Sequence, residues 1–547
     1  MIIQIGSAIM VDMNKFKVPA VPKEENTSLV KKLINLIDSL MTKVRSLTDE
    51  VNQLKDAINV LKEEKKRPKF KASKMDDLAG KKDKRDPNTE EKRPGSKKKS
   101  KTEEIKIHAE KTIKPDQDIP KGSLFKGHHM YTVQGLKIES YNTLYRLERW
   151  QTPDGKWLKG VLPDSVAGTH FSFELIAYIL YQHYQCQVTQ PLLLEQLLEY
   201  GVQISSGQIN RILNEGKESF HDEKEDILHM GLRSSKYVTV DDTGTRHKGK
   251  NGYVTNISSE HFAWFESSNN KTRINFLELL NTGETSYIIN EDSISLMINQ
   301  KLGQTIIHQL ICHPKQQFKH KKEWEAHLKC LGITKKRQCR IATESALYSG
   351  ILQHDFMKNI VIVSDDAGQF NVLLHALCWV HTERLIHKLI STNESHRKTM
   401  EQVRDKIWTL YADLKQYKIF PTNTLKEAII SQFDTIFTQV TPFKILNSLL
   451  SRIYNNKDEL LLVLQHPEIP LHTNASEGDI REYVKKMKIS GGTRSTLGQK
   501  SRDTFASIKK TCRKLGISFW NYLLDRLSFS HNIQPLHFYI QQRSAPS

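Results

Sequence analysis

A chain of 547 residues is long enough for three or four folded units at roughly 150 residues each, and its 38% hydrophobic and 8% aromatic content supplies a sizeable core. Lys and Arg number 81 against 62 Asp and Glu, a surplus of +19 that points to a polyanionic partner. The six cysteines (Cys186, Cys312, Cys330, Cys339, Cys378 and Cys512) are too few and too irregular for a secreted disulfide framework, and no apolar run reaches the length of a membrane span. Met1 to Met10 lacks the pattern of a signal peptide. These features predict a soluble, cytoplasmic, nucleoid-associated protein with no membrane partner.

Residues 1–28 carry no structural pattern. Over 29–64 apolar residues recur at alternating spacings of three and four: Val30, Ile37, Val44, Val51 and Ile58 in one register, Leu33, Leu40, Leu47, Leu54 and Leu61 in the other. β-Branched residues facing leucines in a heptad favour a parallel two-stranded coiled coil, so a homodimer or higher assembly is expected. A single amphipathic helix packed on its own chain is the alternative. The next segment, 65–120, is a basic linker. Between Lys65 and Lys114 it has 19 basic and nine acidic side chains, a net +10, too polar to bury a core and suited to gripping phosphates without reading sequence.

Alternation returns over 121–165, with the turn signal Thr152-Pro153-Asp154-Gly155, and predicts a small antiparallel β module bearing Tyr131, Tyr141, Tyr145, Arg146, Arg149 and Trp150. Residues 166–232 switch to a helical period. PLLLEQLLEY, a turn carrying Gly201, and GQINRILNEG with Ser205 or Ser206 at its cap form a helix-turn-helix-like pattern, which fits either DNA reading or a plain helical bundle.

The chemistry-bearing residues follow. The β-rich run KYVTVDD ends in Asp241 and Asp242, and a second apolar run, Ile360 to Ser364, ends in Asp365 and Asp366. Two such strands side by side in one sheet bring their carboxylates together at the strand tips. Closely spaced carboxylates repel unless one is protonated or a cation lies between them, and hard oxygen ligands suit Mg²⁺ or Mn²⁺. Two ions about 3.5 to 4 Å apart would serve an in-line phosphoryl transfer. Further on, Asn474, Glu477 and Arg481 share one face of a helix in a basic neighbourhood of Lys485, Lys486, Lys488, Arg494 and Lys500. A salt-bridged, solvent-facing helix is the alternative for Glu477.

Together these motifs resemble the Insertion Sequence 66 family of bacterial DDE transposases, most closely from about Ser123 to Phe529. The matching features are Asp241-Asp242-Thr243, Asp365 five residues before Phe370, and Asn474-x-x-Glu477-x-x-x-Arg481 followed by Lys488. The resemblance implies an α/β, RNase H-like catalytic core over 233–392 with the first two acids. A helical insertion over 393–466 and a Glu-bearing C-terminal part over 467–530 complete it, and 531–547 is a tail. It makes Asp241, Asp365 and Glu477 both catalytic residues and ligands of two Mg²⁺ or Mn²⁺ ions, with Asp242 and Asp366 as mere neighbours. It assigns Asn474, Arg481, Lys485, Lys488 and Arg494 to double-stranded DNA at element ends and target, and it leaves accessory proteins open.

Two departures mark a divergent branch. No cysteine precedes Cys186, so the family's Cys-rich zinc motif is absent and zinc is not expected; and SDDAGQF lacks the more common Gly after the second acid. His375, Cys378 and His381 recur at three-residue steps on an expected helix, and packing is the expectation over a metal role. The function implied is metal-dependent cleavage at element ends and strand transfer into target DNA. A catalytically silent DNA-binding repressor and an RNase H-like nuclease are the rival readings.

Overall fold

The computed structural model describes residues 106–163, 170–281, 286–391 and 394–544. The coiled coil expected over 29–64 and most of the basic linker lie outside them. The described part is mixed α/β, with many helices around a central mixed sheet.

The β module is much smaller than the alternation predicts. Only a hairpin forms, β1 (Arg149–Gln151) against β2 (Trp157–Lys159), around a turn in which Gly155 has φ +83° and Thr152 donates its hydroxyl to the Lys156 carbonyl. Residues 106–148 form no regular element, and Tyr131, Tyr141, Trp150 and Trp157 are exposed. Alternation alone does not make a sheet where no layer covers its apolar face.

Next comes a helical region. Helix α1 (Phe173–Leu180) runs into a π-turn, Tyr181–Gln185, and is followed by α2 (Gln190–Glu199), α3 (Ser206–Asn214) and α4 (Glu218–Ser234). The turn between α2 and α3 uses Gly201 at φ +81°, and the Ser205 side chain accepts from the Gln208 amide to cap α3.

The central sheet has the order β5-β4-β3-β8-β9. Strands β3 (Tyr237–His247), β4 (Lys250–Ser258) and β5 (Ala263–Ser268) form an antiparallel meander. Between β5 and β8 the chain makes a helical excursion. It consists of α5 (Arg273–Leu280), β6 (Tyr287–Ile288), α6 (Glu291–Asn299), α7 (Gln304–Cys312), β7 (Gln317–Phe318), α8 (Lys321–Cys330) and α9 (Lys336–Leu352). It returns as β8 (Val361–Ser364), parallel to β3, and β9 (Leu374–Leu377), parallel to β8. Then follow α10 (Trp379–His387), α11 (Glu394–Ile419), α12 (Asn423–Thr438), α13 (Lys444–Tyr454) and the short α14 (Lys457–Leu460). The last four lie within residues 393–466. The chain ends in α15 (Asn474–Ser490), α16 (Thr496–Lys514), α17 (Phe519–Leu527) and α18 (Leu536–Ser544).

Strand alternation distributes the sheet between two cores. Val238 and Val240 of β3, Ile257 of β4 and Ile362 of β8 join the main core with α4 and α9, whereas Val254, Ala263 and Phe265 pack with Ile480 and Tyr483 of α15 and Ala506 of α16. The edge strand β5 is covered by α16. Asp503, Ser507 and Thr511, spaced one turn apart, accept from the amides of Ser267, Phe265 and Ala263 at 2.9, 2.9 and 3.2 Å. A helix thereby supplies the acceptors that a further strand would otherwise provide.

Replacing Ser507 with Ala leaves the Phe265 amide buried and unpaired. The variant is expected to lose about 1–3 kcal/mol of stability in urea melts, whereas Ser507→Thr keeps most of it.

Candidate active site

The site is set by strand register. Parallel pairing matches Thr239 of β3 with Val363 of β8, so two residues further along Asp241 lies level with Asp365. By alternation both follow Thr239 and Val363 onto the face where α15 packs against β3. The sequence predicts a β3 that stops at its acids. Instead β3 runs on to His247, held by antiparallel pairing with β4, in which Asp241 faces Asn256. The extension reaches the loop after α15: His247 Nδ1 lies 2.9 Å from Thr493 Oγ1, and the Lys248 amide donates to the Thr493 carbonyl at 2.8 Å.

Asp241 and Asp365 are half-buried. Asp241 Oδ1 accepts from the Asp242 amide at 2.8 Å, and Asp365 Oδ1 from the Ala367 amide at 3.1 Å. Burial and then the charge of Asp365 push the Asp241 carboxyl up to about 7. Asp241 therefore holds its proton more readily than an ordinary aspartate does. Asp242 has its own partners, Gln369 Nε2 at 2.6 Å and Lys271 Nζ at 3.4 Å. Burial still raises its carboxyl above the usual carboxylate range. Asp366 is exposed and pairs with Arg452 of α13 at 2.8 Å.

Glu477 lies in the first turn of α15. Its Oε2 accepts from Arg481 Nη2 at 2.7 Å, and its Oε1 from Arg384 Nη1 of α10 at 3.2 Å, with His381 Nε2 at 3.5 Å. His381 also acts electrostatically on Asp241, so the imidazole interacts with both Glu477 and the first acid. Glu477 is thus the centre of an ion-pair cluster. Among the described residues, no group of three or more His, Cys, Asp or Glu side chains is gathered tightly enough to hold a metal ion as placed.

The residues expected to contact DNA differ in exposure. Arg481, Lys485 and Lys488 are exposed and follow helical spacing on α15; Arg494 is exposed in the following loop, and Asn474 is half-buried at the helix start. Lys486, counted with this basic neighbourhood in the sequence, is buried instead and donates to the His183 carbonyl at 2.8 Å. Burial, reinforced by Lys509 and Arg502, pushes its ammonium down to about 7.

His375, Cys378 and His381 do not share a helix. His375 belongs to β9, Cys378 caps α10 and only His381 is within it. His375 is tied by Nε2 to Ser364 Oγ at 2.8 Å and by Nδ1 to Glu459 Oε1 of α14 at 2.9 Å. Cys378 lies against His381, and despite burial the contact holds the thiol below and the imidazole above their ordinary ranges. Residues that sequence reading missed are Gln369, Lys271 and Glu459; nothing in their spacing distinguishes them. Arg384 lies three residues after His381, and its reach to Glu477, 93 residues on, has no local sequence signal.

Glu459, which also accepts from Asn371 Nδ2 at 2.8 Å, and Arg452 tie the insertion to the segment bearing Asp365.

A model of the Transposase IS66 family matches residues 311–501, a span that contains Asp365 and Glu477. An uncharacterized protein, y4jO, of Sinorhizobium fredii is 42% identical over 303 residues, which cover 55% of this chain and 94% of that protein. The chain belongs to the IS66 transposase family. Among the described residues no helix is long and apolar enough to cross a membrane.

Two predictions follow from this geometry. Glu459→Ala should raise amide-exchange rates in residues 364–371 by roughly tenfold while leaving those of α16 unchanged. For Lys486, a lowered folded-state pKa means that the penalty is complete below about pH 7 and fades as pH rises toward its unfolded value. Lys486→Met should therefore be more stable than the wild type by roughly 2 kcal/mol near pH 6.5, and the gap should close toward about pH 10.

Proposed function

We propose that the protein is a DNA transposase with an RNase H-like core, cleaving at element ends and joining the freed 3′-hydroxyl to target DNA. The observation that carries this reading is the register-matched pair Asp241 and Asp365 facing the helix of Glu477, within a chain of the IS66 transposase family.

The donor set fits Mg²⁺ or Mn²⁺. It consists of hard carboxylate oxygens, and the raised Asp241 carboxyl marks a place where negative charge lacks a counterion. Asp241, Asp365 and Glu477 would hold two ions. When bound, such ions activate a water or a 3′-hydroxyl and stabilise the attacking and leaving oxygens of an in-line displacement.

The chain's own groups do the rest. The sheet fixes Asp241 within β3 and Asp365 directly after β8, Gln369 and Lys271 hold Asp242 aside, and the insertion braces the Asp365 segment. Arg481, Lys485, Lys488 and Arg494 present an exposed basic stripe that grips DNA phosphates beside the acids. Asn474 orients the start of that stripe, α3 serves as a DNA-reading helix, and the N-terminal heptads pair protomers so that both ends are handled together. No protein nucleophile is required, so no covalent protein–DNA intermediate forms.

The test uses full-length protein, Mg²⁺ and a duplex carrying the termini of the encoding element. Asp241→Asn, Asp365→Asn and Glu477→Gln should each lower cleavage and strand transfer by at least about a hundredfold, with duplex binding within about threefold of wild type. Undiminished activity in the three variants eliminates this site. Gel shifts without metal-dependent nicking by the wild type identify a silent DNA-binding derivative instead.

A further inference from the structure

We propose that Arg384 is a phosphate-contacting residue of the DNA site that, in the DNA-free protein, is parked on Glu477 and withholds that carboxylate from Asp241 and Asp365. The inference rests on the reading of these three acids as the metal-binding set.

Both oxygens of Glu477 are engaged by cations. Arg481 takes Oε2 at 2.7 Å, and Arg384 takes Oε1 at 3.2 Å. The exposures are unequal. The Glu477 side chain is 12% exposed, that of Arg384 40% and that of Arg481 63%. The carboxylate thus lies inside the site while the two guanidinium groups reach solvent. A phosphate arriving from solvent meets them first, and its oxygens suit the planar guanidinium fork at least as well as a carboxylate does.

Arg481 begins the exposed stripe continued by Lys485 and Lys488, so its transfer to a phosphate extends a surface already suited to DNA. Arg384 differs in origin. It projects from the last turn of α10, a different helix from the one that carries the stripe, and its Nη1 also lies 3.4 Å from His381 Nε2. Moving Arg384 from Glu477 to a phosphate removes a positive charge from the carboxylate beside two other acids. The affinity of the three acids for a divalent cation must then rise. By linkage, a bound cation must equally favour the DNA-engaged position of Arg384. The site would remain charge-balanced and inert until DNA is present.

The experiment titrates Mn²⁺ into full-length protein, followed by electron paramagnetic resonance, with and without a random-sequence duplex of about 30 base pairs. The wild type should bind Mn²⁺ about tenfold more tightly with the duplex. Arg384→Gln should bind it roughly five- to tenfold more tightly than wild type without DNA and gain less from the duplex, and Arg384→Lys should stay near wild type. Arg397→Gln removes an equal charge from the exposed Glu394 pair and should change Mn²⁺ affinity by less than about twofold. In duplex-binding measurements, Arg384→Gln should lower the salt slope by about one.

The proposal fails if Arg384→Gln leaves DNA-free Mn²⁺ affinity unchanged or lowers it, if Arg397→Gln matches its effect, or if the salt slope stays the same. In those outcomes the metal site itself still stands. Absence of any Mn²⁺ binding by wild type, with or without duplex, removes the metal site and the role of Arg384 together.

Discussion

The parallel pairing of β3 with β8 is the constraint from which the site follows. Three residue pairs, Tyr237 with Val361, Val238 with Ile362 and Thr239 with Val363, fix the register, and two residues beyond the last pair each segment carries an aspartate, Asp241 within β3 and Asp365 just past the end of β8. A slip of one residue on either strand would turn its acid to the opposite face. Buried Val238, Val240 and Ile362 prevent that slip because they fill the main core. Apolar packing thus sets the position of charged groups, and the sheet holds together two carboxylates whose mutual repulsion it must withstand.

Around this pair the fold is arranged in supporting layers. Helix α16 replaces the missing neighbour of edge strand β5 through Asp503, Ser507 and Thr511, and α15 packs beside it, carrying Glu477. From the other direction, Glu459 and Arg452 of the insertion reach the Asp365 segment, and Trp379 of α10 donates to the Leu460 carbonyl at 3.0 Å. The long separation between the second acid and Glu477 therefore contains a brace for that acid, not merely a spacer.

Much of this arrangement is legible in the sequence wherever one residue type has one physical explanation. Paired acids after β-branched runs mark Asp241 in β3 and Asp365 directly after β8, although β3 continues past its acids to His247. The errors arise where a pattern admits two partners. The three-residue steps of His375, Cys378 and His381 look helical, but they cross from a strand through a cap into a helix. The alternation over 121–165 looks like a sheet, yet only the residues beside the Thr152 turn pair. Lys486 sits in a basic run, but the helical spacing that exposes Lys485 and Lys488 turns it inward. Contacts such as Gln369 with Asp242 and Arg384 with Glu477 depend on tertiary placement, which no local pattern encodes.

The central claim is that Asp241 and Asp365 share a divalent cation in a transposase active site. Anomalous diffraction from crystals of the protein grown with duplex DNA and Mn²⁺ tests it most directly. The account predicts manganese bound jointly by the Asp241 and Asp365 carboxylates, with Glu477 recruited to the same centre. Manganese bound elsewhere, with the two aspartates sharing only a proton, would contradict it.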